Sequence, residues 1–262
     1  MQLPHQFVPK GKPSAFITLA SARNLHHGCR YALPKGGKQS RRGCPRANVN
    51  APVELNLFVT INWSLTETGE DNFVALRNQR FCRWLRTRSQ QLGLSIKPHY
   101  VFAREEGHVH WMVHVPEVLV GEFMDLVPRW VTSLEHKGKG QRKRAENHEP
   151  APARAVHIEP VRNSVAARKY LLKGIDPRFA FMFGLTTVEA QGIVIGRRTG
   201  VSRTLGRKAR SRAGYKGQKP TWQQGNGRSL HASSPGRPRQ ALPSKRAPFK
   251  KTSSSSSSSS SP

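Results

Sequence analysis

Residues 107–116 read GHVHWMVHVP. In an extended chain successive side chains point to opposite faces, so His108, His110 and His114 line one side and Val109, Trp111, Val113 and Val115 the other. A strand of this kind buries its Trp and Val side. The histidine side is then either a wet, tolerant surface or a site.

The residues before it, KPHYVFAREE (97–106), form a second apolar alternating run joined to the first through Glu105, Glu106 and Gly107, the pattern of a hairpin. Upstream, Leu55, Leu57, Val59 and Ile61 alternate with Asn56, Phe58, Thr60 and Asn62 as a strand. Asp71 is expected to cap a helix running to about Leu92, with an imperfect apolar stripe of Phe73, Leu76, Phe81, Trp84 and Leu85 into which Arg77 falls. Gly93 stops that helix. Downstream, Pro116 ends the hairpin and Glu117 to Leu134 reads as a helix, followed by a charged loop over 136–152 and a short strand, AVHIEP. Asn163 or Ser164 caps a helix that runs to Lys173 and ends at Gly174, and QGIVIG (191–196) reads as a last strand. The order strand, helix, strand, strand, helix, strand predicts an α+β fold of the split βαβ type, similar to ferredoxin or RRM domains. Its antiparallel sheet would carry helices on one face and leave the other open.

Charge divides the chain further. All fifteen Asp and Glu lie between Glu54 and Glu189, together with nineteen Lys and Arg; nine basic residues in 1–50 and sixteen in 191–262 have no acidic counterpart. The expected organisation is a basic N-terminal arm over 1–50, a domain over 51–200, and a disordered basic tail over 201–262 rich in Gly, Pro and Ser. A net charge of +29 calls for a polyanionic partner, nucleic acid above all. Three cysteines make no disulfide framework, and neither a signal peptide nor a membrane span is visible, so a cytoplasmic protein with no membrane partner is expected. His26, His27, Cys29 and Cys44 match no common zinc spacing.

Imidazoles two residues apart on one strand face lie roughly 6.5–7 Å apart at the backbone, close enough for His108 and His110 to converge on one ion. His114 is too distant to share it and reads as a surface histidine or a substrate contact. In the helix RNSVAARKYLLKG, Tyr170 and Lys173 stand at i and i+3 and share one side. Thr60, Asn62 and Ser64 end the less apolar face of the first strand and suit contacts to phosphate.

FVTINWS (58–64), GHVHWMVHVP (107–116) and ARKYLLKG (167–174), in this order, resemble three motifs of the HUH endonuclease superfamily. The nearest branch is that of rolling-circle replication initiators and single-tyrosine transposase-like proteins. The resemblance covers roughly residues 53–198, and Asn62 departs from it where a second Thr is usual. It implies metal-dependent nicking and strand transfer of single-stranded or melted DNA, with His108 and His110 as ligands of a Mg or Mn ion. Tyr170 would be the catalytic nucleophile, forming a 5′-phosphotyrosine, and Lys173 the residue that steadies the scissile phosphate or the ion. The third metal ligand is expected to be Glu105, with His99 as the alternative if the hairpin register places it on the histidines' face. No G-x-x-x-x-G-K-S/T segment is present, so unwinding would need a separate helicase. The competing expectation is a non-catalytic module that binds single-stranded nucleic acid on the same sheet.

Overall fold

The computed structural model of the protein describes residues 11–32, 53–66, 69–135 and 150–217. These residues form an α+β fold around a five-stranded antiparallel sheet. Its strands are β2 (Leu57–Asn62), β3 (Tyr100–Glu105), β4 (His108–Val113), β5 (Val156–Pro160) and β7 (Thr199–Val201). Their order across the sheet is β5-β2-β4-β3-β7. Strands β3 and β4 are joined by Glu106 and Gly107, with Gly107 in the left-handed region at φ 70°, which a residue with a Cβ rarely adopts. That tight turn sets the register, placing Glu105 opposite His108 and Ala103 opposite His110. Strand β2 in turn pairs Thr60 with His110 and Asn62 with His108.

One face of the sheet is the apolar side expected from the alternation. Val59, Ile61, Phe102, Val109 and Trp111 are buried there against Phe73, Phe81, Leu85, Phe123, Val127 and Trp130 from two helical layers. The first layer comprises α2 (Phe73–Ala75), a π-helical turn (Leu76–Phe81) and α3 (Cys82–Gln91); the second is α4 (Val120–Glu135). The π turn accounts for the imperfect stripe. Residues five apart diverge on an α-helix, whereas i→i+5 bonding brings Leu76 and Phe81 to the same buried side. Arg77, displaced by the wider turn, lays its guanidinium over the rings of Phe73, Tyr100 and Phe102 at 5.8, 5.5 and 5.1 Å. Asp71 does not cap this run; its carboxylate meets the buried Arg104 at 3.5 Å.

The opposite face is not left open along its length. Helix α1 (Leu19–Ala32) buries Ala22, Leu25 and Cys29 in a second core with Phe58, Val101, Ala103 and Met112 of the sheet. Leu171 and Leu172, at the end of α5 (Ser164–Leu171), join it. So part of the segment expected to be a basic arm is a packed helix, with apolar residues at 22, 25, 29 and 32 that follow the helical period. Its Gly28 lies against β7, where a Cβ would stand 2.9 Å from Val201 Cγ1.

The tail expectation is likewise corrected over 201–217. Strand β7 ends at Val201, and α6 (Arg207–Arg212) follows. Arg210 is buried, donating to the Leu205 carbonyl at 2.5 Å and to Asn24 Oδ1 at 2.9 Å, which ties α6 to α1. Within 191–196, only β6 (Val194–Ile195) is extended, and it pairs with β1 (Pro13–Ser14) rather than with the main sheet. The fifth sheet strand is β7, alongside β3. Residues 218–262 lie outside the described residues, as do 33–52 with Cys44. Among the described residues no helix is long and apolar enough to cross a membrane.

Candidate active site

The sheet face that carries the histidines supplies the site. Phe58 and Thr60 from β2, His108 and His110 from β4, Glu105 from β3, and His157 and Glu159 from β5 share it by register. Helix α5 is positioned against this face by its end and its cap. Asn163 Oδ1 accepts from the amides of Val165 at 3.1 Å and Ala166 at 3.0 Å, closing the first turn. The buried Leu171 and Leu172 anchor the other end, which leaves Tyr170 45% exposed beside the sheet.

Four of the expected residues come together. Glu105 Oε2 lies 3.2 Å from His110 Nε2 and 3.2 Å from Lys173 Nζ. Lys173 Nζ also donates to the Tyr170 hydroxyl at 3.2 Å and stands 4.4 Å from the centre of its ring. His110 meets the Tyr170 ring edge-on with centroids 4.8 Å apart, and its Nδ1 is 3.1 Å from Thr60 Oγ1. A continuous polar chain therefore runs Thr60, His110, Glu105, Lys173, Tyr170, from a half-buried strand position to an exposed phenol.

The charges of this chain are coupled. Burial alone raises the pKa of Glu105, but the hydrogen bond and charge of His110 and the ammonium of Lys173 outweigh it and hold the carboxyl below its usual range. Burial likewise disfavours the charge of Lys173, yet the Glu105 carboxylate and the Tyr170 hydroxyl keep its pKa above that of an ordinary lysine. Lys173 is thus held as an ammonium with its charge directed at the phenol oxygen.

His108 stands across the strand from Glu105, with its Nδ1 3.2 Å from the Glu106 carbonyl. Glu105 is the residue of the preceding strand that reaches the histidines. His99, the alternative, is across from His114 at the far end of the hairpin, buried with neither ring nitrogen bonded among the described residues. Burial lowers its pKa to about 4. His114 is not part of the site either: its Nδ1 meets the Glu54 carbonyl at 2.8 Å, a structural role. Asn62 is engaged locally, its Oδ1 accepting from the Ser64 amide at 3.0 Å.

Among the described residues no group of three His, Cys, Asp or Glu is gathered in a metal-ligating cluster. The donor chemistry nevertheless suits a divalent ion. Thr60 Oγ1 and the Glu106 carbonyl engage the Nδ1 of His110 and of His108 respectively, which leaves the Nε2 of His108 for ligation, while the Nε2 of His110 meets the Glu105 carboxylate at 3.2 Å and would ligate only in place of that contact. Lys173 occupies one side of that carboxylate.

Sequence reading missed a groove beside Tyr170. A cavity of about 530 Å³ lies between β2, β5 and α5, lined by the apolar Phe58, Ala167 and Tyr170 ring and by the polar His157, Glu159, Arg162 and Asn163. Its signal was the period-two alternation of VHIEP, which puts His157 and Glu159 on the site face. No known protein family, curated protein or solved structure matches this chain.

Proposed function

We propose that the protein is an HUH-type DNA endonuclease and strand transferase that attacks single-stranded or melted DNA through Tyr170. The observation that carries this reading is the 3.2 Å contact between Lys173 Nζ and the Tyr170 hydroxyl, with Lys173 held charged by Glu105. A phenol with an ordinary pKa near 10 is a weak nucleophile at neutral pH. An ammonium at hydrogen-bond distance can offset the charge that develops, during attack, on the phenol oxygen and on the non-bridging oxygens of a bound phosphodiester. The sheet order β5-β2-β4-β3 supports the reading as well, because it is the order that a split βαβ unit has.

In the reaction the Tyr170 phenol loses its proton and its oxygen forms a bond to phosphorus. The P–O3′ bond breaks, and the 3′ oxygen takes up a proton to become a hydroxyl. One phosphodiester is exchanged for another, so rejoining or transfer needs no nucleotide cofactor. His108, His110 and Glu105 would hold a Mg or Mn ion. When bound, that ion supplies charge neutralisation at the scissile phosphate. Thr60 fixes the ring of His110, and Glu105 holds Lys173 toward the phenol. The acid-free basic segments supply sequence-independent attraction to the DNA backbone, and strand separation falls to a separate helicase.

The test is incubation of the full chain with single-stranded DNA and Mn²⁺, followed by a denaturing gel and mass spectrometry of the nuclease-trimmed product. The expected result is DNA covalently attached at Tyr170 and no adduct from Tyr170→Phe. The exposed ring should be replaced with less than about 0.5 kcal/mol change in stability. Retained DNA binding with no adduct from the wild type would sink the enzymatic reading in favour of a non-catalytic binding module.

A further inference from the structure

We infer that the cavity between β2, β5 and α5 takes one unpaired nucleobase from the nucleotide next to the phosphodiester that Tyr170 attacks. The inference rests on the proposed function for the identity of the strand, and on the cavity itself for the site. At about 530 Å³ the space falls within the range of small-ligand pockets, and Tyr170 is part of its wall. A nucleotide whose phosphate lies at the Tyr170 hydroxyl must place its base within a few ångströms of that wall.

The lining chemistry fits a base better than a phosphate. Phe58, only 7% exposed and edge-on to the Tyr170 ring at 5.8 Å, and Ala167 give the cavity apolar walls, and the half-exposed Tyr170 ring is the aromatic surface open to it. Bases are received on such surfaces by stacking. On the rim, Glu159 is an acceptor that repels phosphate oxygens but accepts from the exocyclic amino groups of bases. Asn163 uses its Oδ1 in the helix cap, leaving its amide nitrogen as a donor at the groove mouth. Positive charge lies at the two ends of α5, at Arg162 before it and Lys173 after it, where the sugar-phosphate backbone would pass. An acidic peptide would meet the Glu159 carboxylate on the rim and a lining in which Arg162 is the single Lys or Arg.

The experiment irradiates the full chain with short-wave ultraviolet light in the presence of random-sequence single-stranded DNA and EDTA. This treatment joins unmodified bases to the side chains they touch, and mass spectrometry then locates the trimmed nucleotide. The expected crosslinks fall on Phe58, His157 or Tyr170. The exposed Ala166 lines the groove, and Ala166→Trp should fill it, lowering these crosslinks by about tenfold. Total DNA affinity, dominated by the basic segments, should change less than about twofold. A second variant, Glu159→Gln, keeps the shape and should change which bases are recovered from the groove. Absence of groove crosslinks from the wild type, their persistence in Ala166→Trp, or an unchanged base composition in Glu159→Gln would each overturn the inference. Adduct formation with Mn²⁺, scored separately, reports on the nuclease reading: groove crosslinks without an adduct keep the base site and sink the nuclease, and an adduct without groove crosslinks does the reverse.

Discussion

The Oε2 of Glu105 lies 3.2 Å from the Nζ of Lys173, joining the end of a sheet strand to the turn that follows helix α5. This pair connects two motifs distant in the chain, and its electrostatics should be visible in the pH dependence of stability. Glu105 titrates below the ordinary 4.5 in the folded state, so its contribution is present above 4.5 and is lost as pH falls through the folded value. Lys173 titrates above the ordinary 10.5, so its contribution is full below 10.5 and is lost as pH rises through its folded value. Denaturant melts of Glu105→Gln should show a loss of about 2 kcal/mol near pH 7 that narrows at both extremes. A loss that stays constant between pH 3 and 11 would contradict the coupling.

His110 and His114 should behave differently despite sharing a strand face. His110→Ala removes the partner of both Thr60 and Glu105, and nicking should fall by at least about a hundredfold with most DNA binding kept. His114→Ala loses one hydrogen bond to the Glu54 carbonyl, costing about 1 kcal/mol in stability, and cleavage should stay within about threefold. Single-turnover adduct yields and melting curves of the two variants check this. Equal activity losses would mean the histidine row is structural.

His99 is a liability in acid. It is buried and bears a pKa near 4, against an ordinary 6.5, so the folded state binds fewer protons than the unfolded chain between those values. Stability therefore falls as pH drops from about 6.5 toward 4, by up to about 3 kcal/mol from this group. His99→Leu, similar in volume and with no unsatisfied nitrogen, should flatten that part of the pH profile and match or exceed wild-type stability at pH 7. A steeper profile in the variant would refute it.

Two truncations should separate the basic residues of α6 from those beyond Gly217. Ending the chain after Gly217 removes eight Lys and Arg. It should lower the slope of log affinity against log salt by about one for each phosphate no longer neutralised, with melting unchanged. Ending it after Gly200 also removes Leu205 and Arg210, both buried, and should lower stability by several kcal/mol. Salt titrations of DNA binding and thermal melts distinguish the two; equal melting temperatures would contradict the packing of α6 on α1.

Local periodicity carried much of the site. Period two in GHVHWMVHVP put His108 and His110 on the face opposite Trp111, and the i, i+3 spacing put Tyr170 beside Lys173, because both patterns follow from backbone geometry alone. The π turn was beyond that reading, since an α-helical period is assumed before any packing is known, and Arg77 then looked misplaced. Helix α1 was legible only faintly: Ala22, Leu25, Cys29 and Ala32 keep the helical spacing, but His26, His27 and Gly28 interrupt it and the basic surroundings suggested an arm.

By itself the sequence determined the strands and main helices around the hairpin, the histidine face, the Tyr170 and Lys173 pair, and a net charge of +29. The tertiary structure decided three things. The two-residue turn at Gly107 brought Glu105, and not His99, to the histidines. The fold docked α5 so that Lys173 reaches Glu105, and it laid β5 beside β2 to make the groove at Tyr170. Each depends on a register or a docking between distant segments, set by burial of whole faces rather than by any local preference, and that free energy belongs to no stretch of sequence taken alone.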